Sequence, residues 1–268
     1  HIATTGRPGP VVVDLPKDIQ QAEAEFVYPD QIDLPGYNPT YEGHGLQIKR
    51  AAEKINESEK PLLYVGGGAI SSDASEEVRE LARKASIPVT TTLNGLGAMD
   101  ERDELSVGML GMHGSTEANL AISNADLVIA VGARFDDRVT GDLDSFIPEA
   151  EVIHIDIDPA EVSKRVMVDI PIVGDVKNVL SDLNPLVEEN GHDEWLAEID
   201  EWRKLDQGFE KEPEDVLVPH QIIGAIDELT QGKALITTEV GQHQMWAAQF
   251  YQYSEPRSFI SSGGLGTM

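Results

Sequence analysis

The sequence DLVIAVGARFDDRVTG, Asp126–Gly141, joins an apolar run to a charged loop. The run Leu127–Val131 is typical of a strand that is buried on both faces of a parallel sheet. It ends at Gly132, and two arginines and two aspartates follow within the next few residues. Ligands of open α/β sheets bind beyond the carboxyl ends of the strands, so this loop is a candidate binding site.

The two arginines of this loop have two possible roles. A guanidinium group can bind two phosphate oxygens at once, so Arg134 and Arg138 suit a pyrophosphate. Alternatively, they pair with Asp136 and Asp137, which would satisfy the charges without a ligand and would contribute little to stability. The sequence alone leaves both roles open.

Strand and helix patterns alternate on both sides of this loop. Nearly all-apolar segments separate segments with helical spacing, which is typical of a parallel sheet covered by helices on both faces. The predicted strands are 61–65, 88–93, 126–131, 151–158, 170–175, 233–241 and 257–264, and the predicted helices are 46–58, 71–86, 115–124, 176–189, 220–230 and 243–251. The pattern predicts a doubly wound α/β domain over residues 46–190.

Four local features of the pattern can be compared with a structure. Val11–Val13 has the composition of a strand, either at a sheet edge or as the last strand of a domain that begins earlier. Asp73 is a candidate N-cap, because Glu76 follows three residues later. Residues 94–114 have the character of a long loop, and a short helix is expected from Pro159.

The chain divides into five segments by composition. Residues 1–25 would end one domain, and 26–45, rich in proline and glycine, would be an extended linker. The central α/β domain covers 46–190, and a polar, helix-prone segment with two tryptophans connects it over 191–217. A second α/β unit begins at residue 218 and continues to 268.

The charge of the chain is its most unusual bulk property. Its 268 residues carry 48 acidic and 20 basic side chains, a formal net charge of −28, spread along the whole length. Such a field repels nucleic acid and anionic membranes, so neither is an expected partner. A dispersed acidic surface is typical of proteins adapted to high intracellular salt, which screens the self-repulsion. No apolar run is long enough to span a membrane, and the first residues lack a signal peptide pattern. The absence of cysteine fits a cytoplasmic protein.

Polar residues and glycines follow several predicted strands. Gly66–Gly68 suits close approach of the backbone to a phosphate, although the glycines taken alone favour a tight turn. Thr91–Leu93 could present hydroxyl groups to a ligand, and Met109–Gly114 could form a binding wall with flexible methionines. Asp156 could bind ribose hydroxyls or cap the following turn, and Asp175 offers the same two alternatives.

The sequence lacks the residues on which several classes of enzyme depend for catalysis. The chain has no cysteine, which excludes thiolate nucleophiles and disulfides. Its 7 histidines show no metal-binding spacing, and no nucleophilic serine motif is present, so no metal ligands are assigned. Strand ends that carry Gly, Thr, Arg and Asp together favour an extended nucleotide with a pyrophosphate.

Five motifs together carry a family resemblance. They are GRPGPVVVDLPKDIQ (6–20), MLGMHG (109–114), VGARFDDRVTG (131–141), VGQHQMWAAQFY (240–251) and SGGLGTM (262–268). In this order they closely resemble the catalytic-subunit family of acetolactate synthase (acetohydroxyacid synthase), which are thiamine diphosphate enzymes of branched-chain amino acid biosynthesis. The resemblance covers almost the whole chain, as an interior part of a longer protein.

The resemblance implies a three-domain arrangement and an activity. Residues 1–25 would end the pyrimidine-binding domain, 46–190 would be the FAD-binding central domain, and 218–268 would begin the diphosphate-binding domain. The family condenses two pyruvates to 2-acetolactate and CO2, or pyruvate and 2-ketobutyrate to 2-aceto-2-hydroxybutyrate. Its FAD takes no redox part in this reaction.

The resemblance also implies the residues that hold the cofactors. For FAD they are Arg7, Gly66, Gly67, Gly68, Thr91, Thr92, Leu93, Gly111, Met112, His113, Gly114, Gly132, Ala133, Arg134, Asp136, Arg138, Val139, Asp156, Ile157, Asp175 and Val176. For thiamine diphosphate they are Val240, Gly241, Gln242, His243, Gly266 and Met268. Catalysis would depend on Lys17, Met112, Asp137, Arg138, Gln242 and Met268, with Arg138 suited to the carboxylate of the second ketoacid.

Two departures and two missing parts qualify the resemblance. Asn94 replaces an apolar residue of the family, and Glu239 replaces an aspartate. The family's activating glutamate would precede His1, and its Mg2+-binding motif would follow Met268. The 268-residue chain by itself is therefore expected to be inactive.

Other functions remain as alternatives. A related carboligase or oxidase, of the glyoxylate carboligase or pyruvate oxidase type, shares the architecture. A non-catalytic nucleotide-binding module is the alternative from a different class. For the complete protein, the resemblance implies a homodimer or tetramer and allows a regulatory small subunit.

Overall fold

The computed structural model describes residues 1–205 and 216–262, except for the side chain of Asp144. Six parallel strands form its main sheet, in the spatial order β3-β2-β1-β4-β5-β6. The strands are β1 (Pro61–Val65), β2 (Val89–Thr91), β3 (Ser106–Met109), β4 (Leu127–Val131), β5 (Glu151–Asp156) and β6 (Ile170–Val173). This is the strand order of a doubly wound sheet, so the predicted fold class is confirmed.

The two central strands are buried over their whole length. Every residue of β1 and β4 is buried, with Leu63 paired to Ile129 in the register of the two strands. Side chains alternate between the faces, so Leu63 and Ile129 point into one core and Tyr64 and Ala130 into the other. A strand that is buried on both faces accounts for the unbroken apolar run.

Helices cover both faces of this sheet. Apolar residues of α2, α4 and α8 belong to one core, and those of α5 and α9 belong to the other. The helices up to this point are α1 (Lys17–Gln21), α2 (Gly45–Glu57), α3 (Gly67–Ser71), α4 (Ser75–Lys84), α5 (Thr116–Asn124), α6 (Asp137–Thr140), α7 (Leu143–Phe146), α8 (Val176–Leu183) and α9 (Asp193–Arg203). Trp195 of α9 is buried and its indole N–H donates to the carbonyl oxygen of Pro61 (3.0 Å), which attaches the segment predicted as a connection.

A smaller unit follows over residues 216–262. It contains α10 (Pro219–Thr230), β7 (Ile236–Thr238), α11 (Gln242–Phe250) and β8 (Phe259–Ser261), with β7 and β8 forming a parallel pair. Leu96 of the main domain packs in one cluster with Tyr251 and Tyr253 of this unit. No helix in residues 1–205 or 216–262 has the length and apolar character needed to cross a membrane.

The first part of the chain is largely exposed. Tyr41 accepts a hydrogen bond from the Gly6 N–H (2.9 Å) and Tyr37 lies 2.9 Å from the Thr5 hydroxyl, while every residue from 7 to 36 is exposed. Val11–Val13 is not an edge strand of the described sheets, because the segment has no strand partner among the described residues and Val12 is 90% exposed. The alternative, that it is the last strand of a domain that begins earlier, stays a prediction. β-branched composition alone does not form a strand where no sheet edge is available.

Three further predictions of local structure are wrong. The supposed loop 94–114 contains the edge strand β3, whose Gly108 breaks the apolar pattern. Asp73 is not the N-cap of α4; it lies in the left-handed region (φ 55°) and its carboxylate pairs with Arg257 at 2.6 Å. The chain after Pro159 forms turns rather than a helix.

Candidate functional site

The loops after β1 and β4 meet at the point where the strand order reverses. The Gly68 N–H donates to the carbonyl oxygen of Gly132 (3.0 Å), and the Gly66 N–H donates to that of Val131 (2.9 Å). In sheets of this order, ligands bind beside such a reversal. The carboxyl edge of the sheet is therefore the candidate site.

The glycines at this reversal allow the two loops to touch. A Cβ atom on Gly66 would lie 2.2 Å from the carbonyl oxygen of Gly132, which no side chain can accommodate. Gly132 itself has φ 59°, a conformation that favours glycine. The tight-turn explanation thus accounts for these glycines, and the binding of a phosphate by Gly66–Gly68 stays a prediction.

Residues 132–138 form a loop that we call the arginine loop. Its Phe135 is buried in the left-handed region (φ 51°), with ring centroids 5.5 Å from Tyr64 and 5.4 Å from His154. Tyr64 and His154 flank Ala130 in the register of β1, β4 and β5. The small side chain of Ala130 leaves the space between them that the Phe135 ring occupies.

The arginines of this loop have different surroundings. Arg134 forms an ion pair with Asp136, whose carboxylate also accepts the Arg138 N–H (3.2 Å) as the N-cap of α6. Partial burial alone would raise the pKa of Asp136, but the hydrogen bonds from Arg138 and Asp137 and the charge of Arg134 lower it. The exposed Arg138 guanidinium has no ion pair within the described residues. Pairing without a ligand therefore accounts for Arg134 and leaves Arg138 unexplained.

The loop after β3 reaches the arginine loop. The Met112 N–H donates to the carbonyl oxygen of Arg138 (3.1 Å), and the Met112 side chain is 68% exposed. Asn119 of α5 holds this loop by accepting the Gly111 N–H (3.2 Å) and donating to the Gly111 carbonyl oxygen (3.1 Å). Met112 and Arg138, two of the residues on which the resemblance implies that catalysis depends, are therefore neighbours.

The ends of β1 and β2 also carry polar groups. The Thr91 hydroxyl is buried without a hydrogen-bond partner among the described residues. The Thr92 N–H donates to the Val65 carbonyl oxygen (2.9 Å), and a Cβ on Gly67 would lie 3.0 Å from that of Asn94. Asn94, where the sequence departs from the family, thus packs against the glycine turn.

The acidic residues after β5 and β6 act as local caps. Asp156 accepts the Asp158 N–H (2.8 Å), and Asp175 accepts the N–H groups of the first turn of α8. Arg7 contacts Asp158 (3.0 Å) and Glu161 (2.8 Å), which brings it to the same edge of the sheet. The capping alternative accounts for both acids, and the contact of either with a ribose stays a prediction.

The predicted FAD residues lie at one edge of the molecule. They follow β1 (Gly66, Gly67, Gly68), β3 (Gly111, Met112, His113, Gly114), β4 (Gly132, Ala133, Arg134, Asp136, Arg138, Val139) and β6 (Asp175, Val176), and end or follow β2 (Thr91, Thr92, Leu93) and β5 (Asp156, Ile157). Lys17 is separate from this edge. It lies in the short helix α1 of the exposed segment and makes no hydrogen bond or ion pair with the described residues.

The predicted thiamine diphosphate residues begin at α11. Val240 and Gly241 precede this helix, and Gln242 and His243 are its first two residues, whose N–H groups lack partners within the helix. Gly241 has φ 152°, outside the range that other residues favour. Gly266 and Met268 lie outside the described residues. Within residues 1–205 and 216–262, no cluster of three or more His, Asp or Glu side chains is arranged to hold a metal ion.

Sequence reasoning missed the residues that hold the loops in place. His154 and Phe135 anchor the arginine loop, and Asn119 anchors the loop after β3. A histidine inside an otherwise apolar strand was the available signal for His154, because a buried polar group needs a partner. The position of Phe135 depends on the register of the sheet and has no local signal.

Comparison with known proteins gives matches along the chain. Residues 48–183 match the thiamine pyrophosphate enzyme central domain, and residues 239–268 match the C-terminal TPP binding domain of thiamine pyrophosphate enzymes. The chain is 48% identical to the acetolactate synthase large subunit of Corynebacterium glutamicum and 50% identical to the probable acetolactate synthase large subunit of Methanocaldococcus jannaschii. It is 47% identical to the acetolactate synthase large subunit of Haemophilus influenzae. These alignments cover 100% of this chain and 44%, 47% and 48% of the respective relatives, so the chain spans about half their length.

The fold and the site define a doubly wound α/β protein with glycine, arginine and acidic side chains gathered at the carboxyl edge of its sheet. The match to the central-domain model extends over half of the sequence, across the six-stranded sheet and most of the helices around it. The chain belongs to the thiamine pyrophosphate enzyme family.

Proposed function

We propose that the chain is part of the catalytic subunit of an acetolactate synthase. The complete enzyme condenses two pyruvates to 2-acetolactate and CO2, or pyruvate and 2-ketobutyrate to 2-aceto-2-hydroxybutyrate. The observation that carries this proposal is identity of 47–50% over the whole chain to three acetolactate synthase large subunits from distant organisms. The similarity is continuous rather than confined to one domain.

FAD binds along the carboxyl edge of the six-stranded sheet. Neighbouring strands lie about 4.8 Å apart, so the ends of β2, β1, β4 and β5 spread over roughly 15 Å, which suits an extended dinucleotide. The residues fit such a group. The Arg138 guanidinium has no ion pair in the described part of the chain and can bind an anion, and the buried Thr91 hydroxyl, which has no partner there, needs one. Arg134, held by Asp136, remains 55% exposed and available to a phosphate.

Thiamine diphosphate binds at the start of α11. The first N–H groups of this nine-residue helix, at Gln242 and His243, suit a diphosphate because a helix N-terminus attracts anions. Gly241 lets the chain turn directly before the helix. The bound cofactor, with Mg2+ on its diphosphate, supplies an acidic C–H group and an electron sink for decarboxylation of pyruvate. Gly266 and Met268 would complete the contacts to it.

The second ketoacid binds between the loops after β3 and β4. Arg138 pairs with its carboxylate, since a guanidinium fork matches a carboxylate in a bidentate manner. The exposed side chain of Met112 gives an apolar wall beside it. Asp137 and Lys17 are proposed to line the same channel, with Lys17 contributed by the exposed segment.

The test uses the full-length protein that contains this chain. We expect a flavin absorbance spectrum and the formation of acetolactate from pyruvate. R138Q should raise KM for the ketoacid at least tenfold, the effect of losing a charged hydrogen-bonded pair. K49Q, which changes an exposed lysine of α2, should leave KM unchanged. Consumption of oxygen without acetolactate, condensation of glyoxylate alone, or no turnover at all would each contradict the proposal and support one of the three alternatives.

Three properties of the complete protein belong to the same proposal. It is a homodimer or tetramer, it accepts a regulatory small subunit, and it works in the cytoplasm. Sedimentation of the full-length protein with and without a small subunit, together with cell fractionation, tests them. The proposed domain boundaries, 1–25, 26–45, 46–190, 191–217 and 218–268, are tested by limited proteolysis.

A further inference from the structure

We infer that His154 is a positioning residue for the arginine loop, which fixes Arg134 for the flavin nucleotide. His154 is buried and does not itself reach the sheet edge. It rests on the proposed function for its ligand, while the contact that carries it is independent of any ligand.

His154 holds the beginning of the loop from inside the core. Its side chain on β5 is fully buried, and Nε2 lies 2.8 Å from the carbonyl oxygen of Ala133. A carbonyl oxygen can only accept, so Nε2 carries the proton and donates it. Nδ1 has no hydrogen-bond partner among the described residues, and the Asp156 carboxylate is 3.8 Å from Nε2. The bond to Ala133 is thus the imidazole's one hydrogen bond within the described part of the chain.

Arg134 is the exposed residue between two buried anchors. Ala133 is held by His154, and Phe135 is held between the rings of Tyr64 and His154. The positive φ of Phe135 turns the chain so that its ring points inward while Arg134 points outward. His154 contacts both anchors, so its ring determines where the Arg134 side chain leaves the surface.

The far end of the loop is held separately. The Arg138 carbonyl oxygen accepts the Met112 N–H, and Asp136 caps α6. Loss of the His154 donor would therefore loosen the loop at Ala133, beyond the bond from the Gly132 N–H to the Ile155 carbonyl oxygen (2.8 Å), and leave the Arg138 end attached. Binding of the flavin nucleotide by Arg134 should weaken more than binding of the ketoacid by Arg138. General destabilisation of the fold would not produce this difference.

The ring works as a neutral donor. Burial lowers the pKa of His154, against the opposing effect of the Asp156 and Glu161 charges. A neutral imidazole adds no charge beside Arg134. A side-chain amide, which also donates without charge, is then a fair replacement for it.

The test compares three variants of the full-length protein. H154L removes the donor and keeps an apolar side chain of similar size, whereas H154Q keeps an N–H donor. I153A is the matched control, because Ile153 is equally buried on the same strand but faces the opposite core. All three are expected to lower stability, so stability alone does not separate them.

FAD affinity and KM separate positioning from general destabilisation. We expect H154L to weaken FAD binding about tenfold or more, because Arg134 is then no longer held in position for its charge-assisted hydrogen bond to the nucleotide. H154Q should recover part of this loss, I153A should bind FAD as the wild type does, and KM for pyruvate should change less than the FAD dissociation constant in H154L. Equal FAD affinity in H154L and I153A would overturn the inference.

A second measurement keeps this inference apart from the proposed function. Hydrogen exchange of the amides of 133–139 without FAD should be faster in H154L than in the wild type and unchanged in I153A. If the wild type binds no FAD, the proposed function fails while this exchange result still decides the role of His154. Unchanged exchange in H154L would overturn that role even if FAD binds.

Discussion

The N–H of Met112 donates to the carbonyl oxygen of Arg138, joining the loops that follow β3 and β4. Two strands, β2 and β1, separate β3 from β4 in the sheet, so this contact connects loops from strands that do not pair. It makes Met112, whose side chain is exposed, a neighbour of Arg138, whose guanidinium has no ion pair within the described residues. The proposed ketoacid site depends on this contact.

Gly111 makes that contact possible and is sensitive to substitution. It has φ 113°, and a Cβ atom there would lie 2.9 Å from the Arg138 carbonyl oxygen. G111A should therefore lower the free energy of unfolding by about 1–3 kcal/mol, the usual cost of a strained backbone. G45A is the control, because Gly45 lies in α2 with nothing within 4 Å of a Cβ, and it should be neutral or stabilising. Urea unfolding measures both, and equal midpoints would contradict the prediction.

The ion pair of Arg102 and Asp227 holds the smaller unit on the main domain. Arg102 contacts both carboxylate oxygens of Asp227 (2.7 and 2.8 Å) and also donates to the Gln252 carbonyl oxygen (2.8 Å). R102M should lower the free energy of unfolding by about 2–3 kcal/mol, because it leaves the buried Asp227 charge unpaired.

An exposed ion pair gives the control for Arg102. Lys204 pairs with Glu201, and both side chains are more than half exposed. K204M should therefore change the free energy of unfolding by less than about 0.5 kcal/mol. Hydrogen exchange over 216–262 should rise in R102M alone. A loss in K204M as large as that in R102M would show that burial of the pair is unimportant.

Glu101 makes the stability depend on pH. Burial, which outweighs the hydrogen bond from the Tyr253 N–H and the Arg102 charge, raises the pKa of Glu101 to about 8. Between the ordinary Glu value of about 4.3 and that value, the folded state keeps a proton that the unfolded state releases. Stability should therefore fall as the pH rises through this window, with no further loss from this group above pH 8.

The variant E101Q tests this origin of the pH dependence. Glutamine keeps an acceptor for the Tyr253 N–H (2.7 Å in the wild type) and cannot ionise. Compared with the wild type, E101Q should be more stable at pH 8 and should show a flatter stability profile from pH 5 to 8, measured by urea unfolding. E76Q, at a carboxylate that is 79% exposed, should follow the wild-type profile. Parallel profiles of E101Q and the wild type would refute the assignment.

The dispersed negative charge predicts a strong dependence on salt. With a net charge of −28, the folded chain repels itself at low ionic strength, and the screening length falls to about 3 Å at 1 M salt. Thermal unfolding in KCl from 0.1 to 2 M should give a rising midpoint, which supports the proposed adaptation to high salt. The same series with sucrose in place of KCl distinguishes screening from solute exclusion. A thermal unfolding midpoint that does not change with KCl concentration would contradict the proposed adaptation to high salt.

The sequence predicts features that depend on local residue patterns and misses features that depend on tertiary contacts. The apolar run of β4 and the charges that follow it identified the fold class and the candidate loop. Asp73 was misassigned because its partner, Arg257, belongs to the smaller unit and no local pattern indicates this contact. The anchoring of the arginine loop depends on the pairing of Tyr64, Ala130 and His154 across three strands, which the sequence of any one strand does not contain.

The central position of β1 has a consequence for synthesis on the ribosome. β1 pairs with β2 on one side and with β4 on the other. When β1, β2 and β3 have left the ribosome, one edge of β1 still lacks its partner, and an open apolar edge is a template for association with other chains. Because contacts that are distant in sequence form slowly, this interval is long compared with local helix formation. The nascent chain therefore exposes this inner edge of β1 until β4 emerges.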